Sequence, residues 1–367
     1  VGLRILHTEW SGGWGGQEIR IVAESVALRS RGHAVAIACQ PDSQILQRAA
    51  AEGLQTVPIR LRKGFDPAGI ARCLRAIRAH RIELVHAHSS PDAWTCGIAA
   101  RLAGVRVVRS RHLSTPVKRS WTTRLVYGRL ADRVIASGRA IRDHLVQATG
   151  LDPERIASIP AGVDVQRFAP RADGAEVRRE LGLAETDFDV GIVAVLRSWK
   201  GHVHLIEAVH RLCVENVPAK LLIVGAGPQE DALRRKIAQL GMRDRVLMLG
   251  HRDDVPRLLG AMDCVALPAT KNEATSQALP QALAMKVPVI ATAVGGLPEV
   301  VMHEQTGLLI PPSDTEALYR ALLRVHQHPA EAKQMAERGY AHVRANFTFE
   351  QMVDRTEAVY GELLSTR

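Results

Sequence analysis

Twice along this chain of 367 residues, short runs of β-branched and aliphatic residues alternate with segments of helix length. That alternation forces parallel sheets, because a strand followed by a helix rejoins its sheet through a crossover. The first series predicts strands at Leu3–His7, Ala34–Cys39, Glu83–Ala87, Arg106–Arg109 and Arg133–Ala136, with a helix from about Gln17 to Ser30. A turn-rich stretch from Ile159 to Pro170 then breaks the pattern. The second series predicts strands at Asp189–Leu196, Ala219–Val224, Arg245–Leu249, Cys264–Leu267 and Pro288–Ala291. Helices are expected between them at about Gly201–Glu215, Gln229–Leu240 and Ala278–Met285, and Pro329 to Leu364 reads as helix with few breakers. The expected fold is therefore α/β, two doubly wound parallel-sheet domains facing a cleft, with ligands at the carboxyl ends of the strands.

Charge divides the chain in the same place. Residues 1–170 carry 25 Lys and Arg against 13 Asp and Glu, while the remainder carries 23 against 25. A half with a balance of +12 faces something anionic, and nucleic acid and a lipid surface both satisfy that charge. Between Arg106 and Arg133 eight cations stand with one acid, Asp132, and Trp121, Leu125, Val126 and Tyr127 sit among them. At those spacings one helix either lies cationic on lipid headgroups or turns its apolar positions to the core. Aromatics make up 4% of the residues, too few to interleave with the basic side chains as in single-strand binding, so nucleic acid is not expected. Five cysteines in no CxxC spacing argue for reduced thiols in the cytoplasm and against a zinc site. With one arginine and no long apolar stretch at Val1 to Ile5, a secretory leader is not expected, and no run approaches the roughly 18–20 apolar residues of a membrane span.

Several turns carry chemistry. Ser11-Gly12-Gly13-Trp14-Gly15-Gly16 lies between the first strand and helix, where free amides favour anions; a tight turn without a ligand explains it equally well. It is not the dinucleotide fingerprint, since Glu18 stands at the third glycine position. Arg197 and Lys200 follow a strand three residues apart, the placement of cations that meet a leaving diphosphate, although most such pairs are solvated surface. Glu273 and Gln281, with seven residues between them, flank Thr275, Ser276 and Gln277 at the start of a helix, where amides again suit phosphate.

Taken in order, these pieces resemble the family-four retaining glycosyltransferases of the GT-B fold. The resemblance runs over nearly the whole chain. It rests on the Gly-Gly turn, His86-Ala87-His88, the Pro160-Ala161-Gly162-Val163-Asp164 turn with Phe168, Arg197 with Lys200-Gly201, and Val224-Gly225-Ala226-Gly227-Pro228. It continues through the Glu-x7-Glu-like segment from Glu273, Pro288 to Thr292, Gly295 to Val300, Thr306 to Ile310, and Asp314. The resemblance implies an acceptor-binding domain over 1–165, a donor-binding domain over 166–349, and a terminal helix over about 350–367 packed back on the first. It implies that Arg197 and Lys200 bind the donor diphosphate and that Glu273 lies beside the donor sugar. It further implies that Gln281 replaces the glutamate that holds the ribose, and that His112 meets the transferred sugar. Gly15, Gly16, Thr275, Ser276 and Gln277 are the remaining expected donor contacts. Where relatives carry Gly-Phe-Gly-Leu after the glutamate, this chain has Ala274-Thr275-Ser276-Gln277; Lys286 stands for a common glycine.

The implied reaction is transfer of a sugar, with retention, from a nucleoside-diphosphate sugar (UDP or GDP) to an acceptor hydroxyl. The acceptor attacks on the face the nucleotide leaves, so no protein nucleophile is needed. No DxD stands at a strand end, as Asp263 is alone and Asp253 and Asp254 are adjacent, so no metal and no separate cofactor are expected. Charge and family habit point to a bacterial envelope glycan, such as a lipopolysaccharide core or a lipid-linked acceptor. The expected location is the cytoplasm, with peripheral contact at the inner face of the membrane. Two rivals stand beside this reading: a nucleotide-sugar epimerase of the same fold, and a non-catalytic protein that binds nucleotide sugars or polyanions.

Overall fold

The computed structural model describes residues 2–171, 173–271 and 273–365. Val1, Ala172, Asn272, Thr366 and Arg367 lie outside the described residues, and with them the ends of the segments expected over 1–165 and 350–367. The chain divides into two compact units, Val1–Ala161 with Glu350–Arg367, and Gly162–Phe349.

In the first unit the described residues form one all-parallel sheet. Its strands are β1 (Arg4–Glu9), β2 (Ala34–Cys39), β3 (Gln55–Pro58), β4 (Leu84–Ala87), β5 (Arg106–Arg111), β6 (Arg133–Ala136) and β7 (Ile156–Ser158), ordered β3-β2-β1-β4-β5-β6-β7. Alternation sends Leu6, Val85 and Val107 to one face against Cys73, Ile77 and Cys96, and Ile37 and Cys39 to the other against Ile21, Val22 and Ile45. Both faces are thus dry, as a sheet with helical crossovers requires. Cys73 and Cys96, far apart in sequence, meet here with their sulfurs 3.0 Å apart.

The terminal helix, Phe349–Ser365, packs on this unit almost throughout its length. Tyr360 is fully buried, and its hydroxyl lies 2.6 Å from His86 Nδ1. Glu357 holds Arg31 at 2.8 Å and His33 at 3.0 Å, and Glu362 holds Arg133 at 3.0 Å. The half-exposed ion pairs contribute little, about 0–1 kcal/mol each, so burial of the apolar face anchors the helix.

The second unit repeats the plan with β8 (Phe188–Val193), β9 (Ala219–Val224), β10 (Val246–Gly250), β11 (Cys264–Leu267), β12 (Val289–Thr292) and β13 (Leu308–Ile310), ordered β10-β9-β8-β11-β12-β13. Val190, Ile192, Leu221, Ile223, Val265, Leu267 and Ile290 build its core. In both sheets the strand order reverses once, between β1 and β4 and between β8 and β11. Those are the switch points beside which doubly wound sheets hold ligands.

The structure departs from the sequence reading where strands are short or lie at an edge. β3, β7 and β13 were not expected; β7 and β13 have three residues each, too short to stand out even where β13 is all apolar, and β3 ends on a proline. β8 ends at Val193, not Leu196. The long terminal segment breaks into Pro329–Asn346 and Phe349–Ser365 without a proline or glycine at the break. There Val163 inserts, its N–H donating to Phe347 O and its carbonyl accepting from Phe349 N–H, each at 2.8 Å. Within the basic stretch from Arg106 to Arg133, Trp121, Leu125, Val126 and Tyr127 do share one helical segment, Trp121–Arg124 in α form continued by Leu125–Leu130 in π form. Val126 and Tyr127 face the core, Arg109 lies 3.8 Å over the Tyr127 ring, and Trp121 remains 74% exposed.

Truncating Tyr360 removes a fully buried aromatic and the partner of His86. We expect Tyr360→Ala to destabilise the first unit by about 3–5 kcal/mol, read as a lower urea midpoint for that unit, with the second unit's transition unmoved.

Candidate active site

Each unit gathers its polar residues at the carboxyl ends of its strands, and each site is built on a switch point.

In the second unit the chain leaves β8, makes a single 3-10 turn at Ser198–Lys200, passes Gly201 and enters the helix His202–Val214. Gly201 has φ +81°, and a Cβ there would overlap the carbonyl oxygen of Pro268 in the loop after β11. Thr270 N–H donates to Trp199 O at 2.8 Å, so the loops flanking the switch point brace one another. From the β11 loop Glu273 points back, 6% exposed, and receives Lys200 Nζ at 2.8 Å on both carboxylate oxygens. The Glu273 main chain is held in turn by the turn after β12. Gly295, at φ +57°, lies where any Cβ would overlap Glu273 O. Arg197 is exposed, its guanidinium 5.5 Å from the Trp199 ring, and among the described residues no carboxylate pairs with it. Lys200 and Glu273 therefore meet, while Arg197 is presented to solvent.

Thr275 is buried, Ser276 takes a left-handed conformation at φ 52°, and Gln277 caps the helix Ala278–Ala284. Gln281 is the fourth residue of that helix and half-buried. A residue the sequence reading passed over stands in the same unit. His202 is 3% exposed at the start of its helix, and among the described residues no side chain bonds either ring nitrogen. Burial, reinforced by Lys200, pushes its pKa down to about 4, so it is neutral. Its only sequence signal was its place two residues after Lys200.

In the first unit Gly15 caps the helix Gly16–Ser30 without a side-chain bond, and Glu18 stands in the first turn. Glu9, at the end of β1, is fully buried; it accepts from Ser11 N–H at 2.6 Å and from the Gln17 amide. Burial, with Asp92 nearby, pushes the Glu9 carboxyl up to about 8, so it is a protonated donor at neutral pH. Asp92 ties the switch point together. It accepts from Thr8 Oγ1 at 2.6 Å, from His88 N–H at 3.1 Å and from Ser89 N–H at 3.0 Å. The turn at Gly15 and Gly16 is thus flanked by carboxyl groups. Glu9 carried no sequence signal, because a glutamate at a strand end is ordinary until its burial is known.

His112 follows β5. Its Nε2 lies 2.9 Å from His88 Nδ1 and its Nδ1 lies 3.2 Å from Ser137 Oγ. His88 Nε2 lies 2.9 Å from His7 Nδ1, so the residue expected to face substrate is embedded in a row of imidazoles. His7, His86 and His88 bring nitrogens within 4.8 Å of one another, as metal binding requires. Their nitrogens are already in contact with other side chains: His86 with Tyr360 and Ser110, His88 with His7 and His112, and the Arg20 guanidinium lies alongside.

Two outcomes are expected. Gly295→Ala should destabilise the second unit by about 1–3 kcal/mol or more in urea unfolding, through strain at a left-handed position and displacement of Glu273. For Glu9 the folded pKa lies above the unfolded one, so its contribution is full below about pH 4.5 and is lost as pH rises toward 8. Glu9→Gln should therefore melt close to the parent at pH 5 and about a few degrees higher than the parent at pH 8.5, measured by thermal unfolding.

The chain matches Glycosyltransferase Family 4 over residues 14–167 and Glycosyl transferases group 1 over residues 173–342. It is 31% identical to D-inositol 3-phosphate glycosyltransferase of Salinispora tropica, over 81% of this chain and 67% of that protein. It is also 31% identical to N-acetyl-alpha-D-glucosaminyl L-malate synthase of Bacillus anthracis, where it spans 52% of that relative's length. Among solved structures, a glycosyltransferase from Rickettsia africae superposes with a TM-score of 0.90 at 20% identity, with both chains fully covered. Anabaena Alr3699/HepE, solved in complex with UDP, gives 0.88 at 24% identity, again over the whole of both chains. Two doubly wound parallel sheets, each with its polar residues at a switch point, are the GT-B architecture, and with these matches the chain belongs to the group 1, family-four glycosyltransferases.

Proposed function

We propose that this chain transfers a sugar from a nucleoside-diphosphate sugar, UDP or GDP, to the hydroxyl of a bacterial envelope glycan or lipid-linked acceptor, with retention and without a divalent metal. The observation that carries the reading is the Lys200–Glu273 contact at the β8/β11 switch point, with exposed Arg197, paired to no carboxylate among the described residues, three residues upstream. Glu273 holds the Lys200 ammonium in a fixed direction, so a diphosphate meets a charge that needs no reorientation. Arg197 adds a planar donor with no carboxylate to surrender. Together they offset the charge that builds on the diphosphate as the bond to the sugar breaks, the task a metal performs elsewhere. The acceptor hydroxyl then attacks from the face the nucleotide leaves and passes its proton to a phosphate oxygen. Glu273 accepts hydrogen bonds from the sugar, and Gln281 holds ribose hydroxyls through a neutral amide.

Relatives support the donor class and the acceptor class. HepE has been solved with UDP-glucose, and a relative of Escherichia coli, 28% identical over 71% of this chain and 70% of its own, is a UDP-Gal:alpha-D-GlcNAc-diphosphoundecaprenol alpha-1,3-galactosyltransferase. WaaG, a glycosyltransferase involved in lipopolysaccharide biosynthesis, shares the fold with a TM-score of 0.72. In the first unit Gly15 and Gly16 let a ligand approach the backbone, and protonated Glu9 and the Glu18 carboxyl group suit sugar hydroxyls better than phosphate. Among the described residues no helix is long and apolar enough to cross a membrane. Between Leu113 and Arg124 the exposed side chains include apolar Leu113 and Trp121 and cationic Lys118, Arg119 and Arg124, a composition suited to anionic headgroups at the cytoplasmic face.

Titration of UDP, GDP, ADP and CMP, and of their sugars, with and without EDTA tests this reading. One nucleoside diphosphate should bind regardless of EDTA, and Arg197→Ala or Lys200→Ala should weaken it by about tenfold or more. Product NMR should show the donor's anomeric configuration. Release of an epimer without acceptor would mark an epimerase, and stabilisation by polyanions alone a binding protein.

A further inference from the structure

We propose that His7 and His88 are positioning residues that hold His112 as a neutral ring in one orientation, through a buried row of imidazoles that all carry their proton on the same nitrogen. This inference rests on the proposed role of His112 at the transferred sugar. The row crosses the sheet at right angles to the strands. His7 lies on β1, His88 just past β4, His112 just past β5 and Ser137 just past β6, one residue from each of four neighbouring strands. Successive contacts are 2.9 Å (His7 Nδ1 to His88 Nε2), 2.9 Å (His88 Nδ1 to His112 Nε2) and 3.2 Å (His112 Nδ1 to Ser137 Oγ). Each pair of rings is tilted by 16° with centroids 5.2 Å apart, so the nitrogens meet nearly edge to edge.

Two imidazole nitrogens at 2.9 Å share a single proton. Two bare lone pairs repel, and two N–H groups collide. Burial of His7, His88 and the His112 ring, with Arg20 and Arg111 close by, keeps further protons off, and Glu24 is occupied by Arg20. Three neutral rings then carry three protons across two shared contacts. Only two arrangements satisfy both contacts. Either every ring is protonated on Nε2, with Ser137 donating to His112 Nδ1, or every ring is protonated on Nδ1, with His112 donating to Ser137. At one end Arg20 Nη1 donates to Ser137 Oγ at 3.2 Å; at the other, His7 Nε2 is buried with no partner among the described residues. His86 stands beside the row, its ring centroid 4.1 Å from that of His88, and is held by Tyr360 and Ser110. With both of its nitrogens spent, His112 cannot turn, and substrate meets a ring edge and backbone of fixed direction.

The test is NMR of the full chain with 15N-labelled histidine at pH 7, assigned with single-histidine variants. His7, His88 and His112 should show the same protonated nitrogen. Opposite tautomers within the row, or a doubly protonated ring, would overturn the inference. In kinetics with the donor found by titration, His88→Ala should lower kcat by about tenfold to a hundredfold, leave the affinity for the nucleoside diphosphate within about twofold, and add an acidic limb to the pH profile as His112 becomes able to protonate. His88→Gln, which keeps a donor and an acceptor, should recover part of the loss. If His88→Ala fails to fold, His7→Ala, at the far end of the row, should still mix the tautomers of His112. Folded variants with parental kcat and an unchanged tautomer would also overturn it. A wild-type chain that transfers no sugar would count against the proposed function alone, and the tautomers would still decide the row.

Discussion

A parallel sheet with helices over both faces is dry everywhere except along its two ends, and the rest of this molecule follows from that constraint. Every residue that alternates onto a face must be apolar or be satisfied by a neighbour, so polar chemistry collects where the strands stop. The order of strands reverses between β1 and β4 and between β8 and β11. At a reversal the crossovers run off to opposite sides and leave the backbone of two loops uncovered. Thr8 and Asp92 flank the first reversal, and Lys200 and Glu273 the second. The same topology used twice yields two sites of different character, an acidic and histidine-rich one and a cationic one.

Crowding polar groups at a buried edge is costly unless each has a partner, and the loops show how that cost is met. Asp92 accepts four hydrogen bonds from Thr8, His88 and Ser89, which is what lets a carboxyl group sit fully buried beside Glu9. Lys200 and Glu273 satisfy one another while retaining directions in which a ligand can compete. In both units the loops touch through backbone, as where Gly295 meets Glu273, so that the charged side chains are set by the main chain and not by their own flexible stems. A site built this way loses little entropy when it binds.

Much of the fold was legible because strands buried on both faces read as continuous apolar runs, and most of the central strands were found near their observed positions. The edge strands were not: Gln55–Pro58 is half exposed and has no run to read. In the stretch from Arg106 to Arg133 the apolar spacing did mark a helical segment, Trp121–Leu130, but spacing alone left open where its apolar side chains go; Val126 and Tyr127 are used by the core while Trp121 is exposed. Arg197, Lys200 and Glu273 were singled out through the ordered family resemblance, since an arginine and a lysine three residues apart are by themselves most often solvated surface. Glu9, His7 and His202 were invisible, since their character comes from burial and from neighbours more than 70 residues away, or from the absence of a partner.

By itself the sequence determined the fold class, the family and the order of the turns, because these depend on hydrophobic period and on glycine, charged and proline residues at fixed local spacing. Tertiary structure alone decided which side chains meet and in what protonation state. It set His7, His88 and His112, more than 100 residues from end to end, in one row, gave Glu9 its proton, and brought Lys200 onto Glu273 across 73 residues. The physical reason is that pairing and desolvation are properties of the packed sheet edge, where strands distant in sequence end side by side.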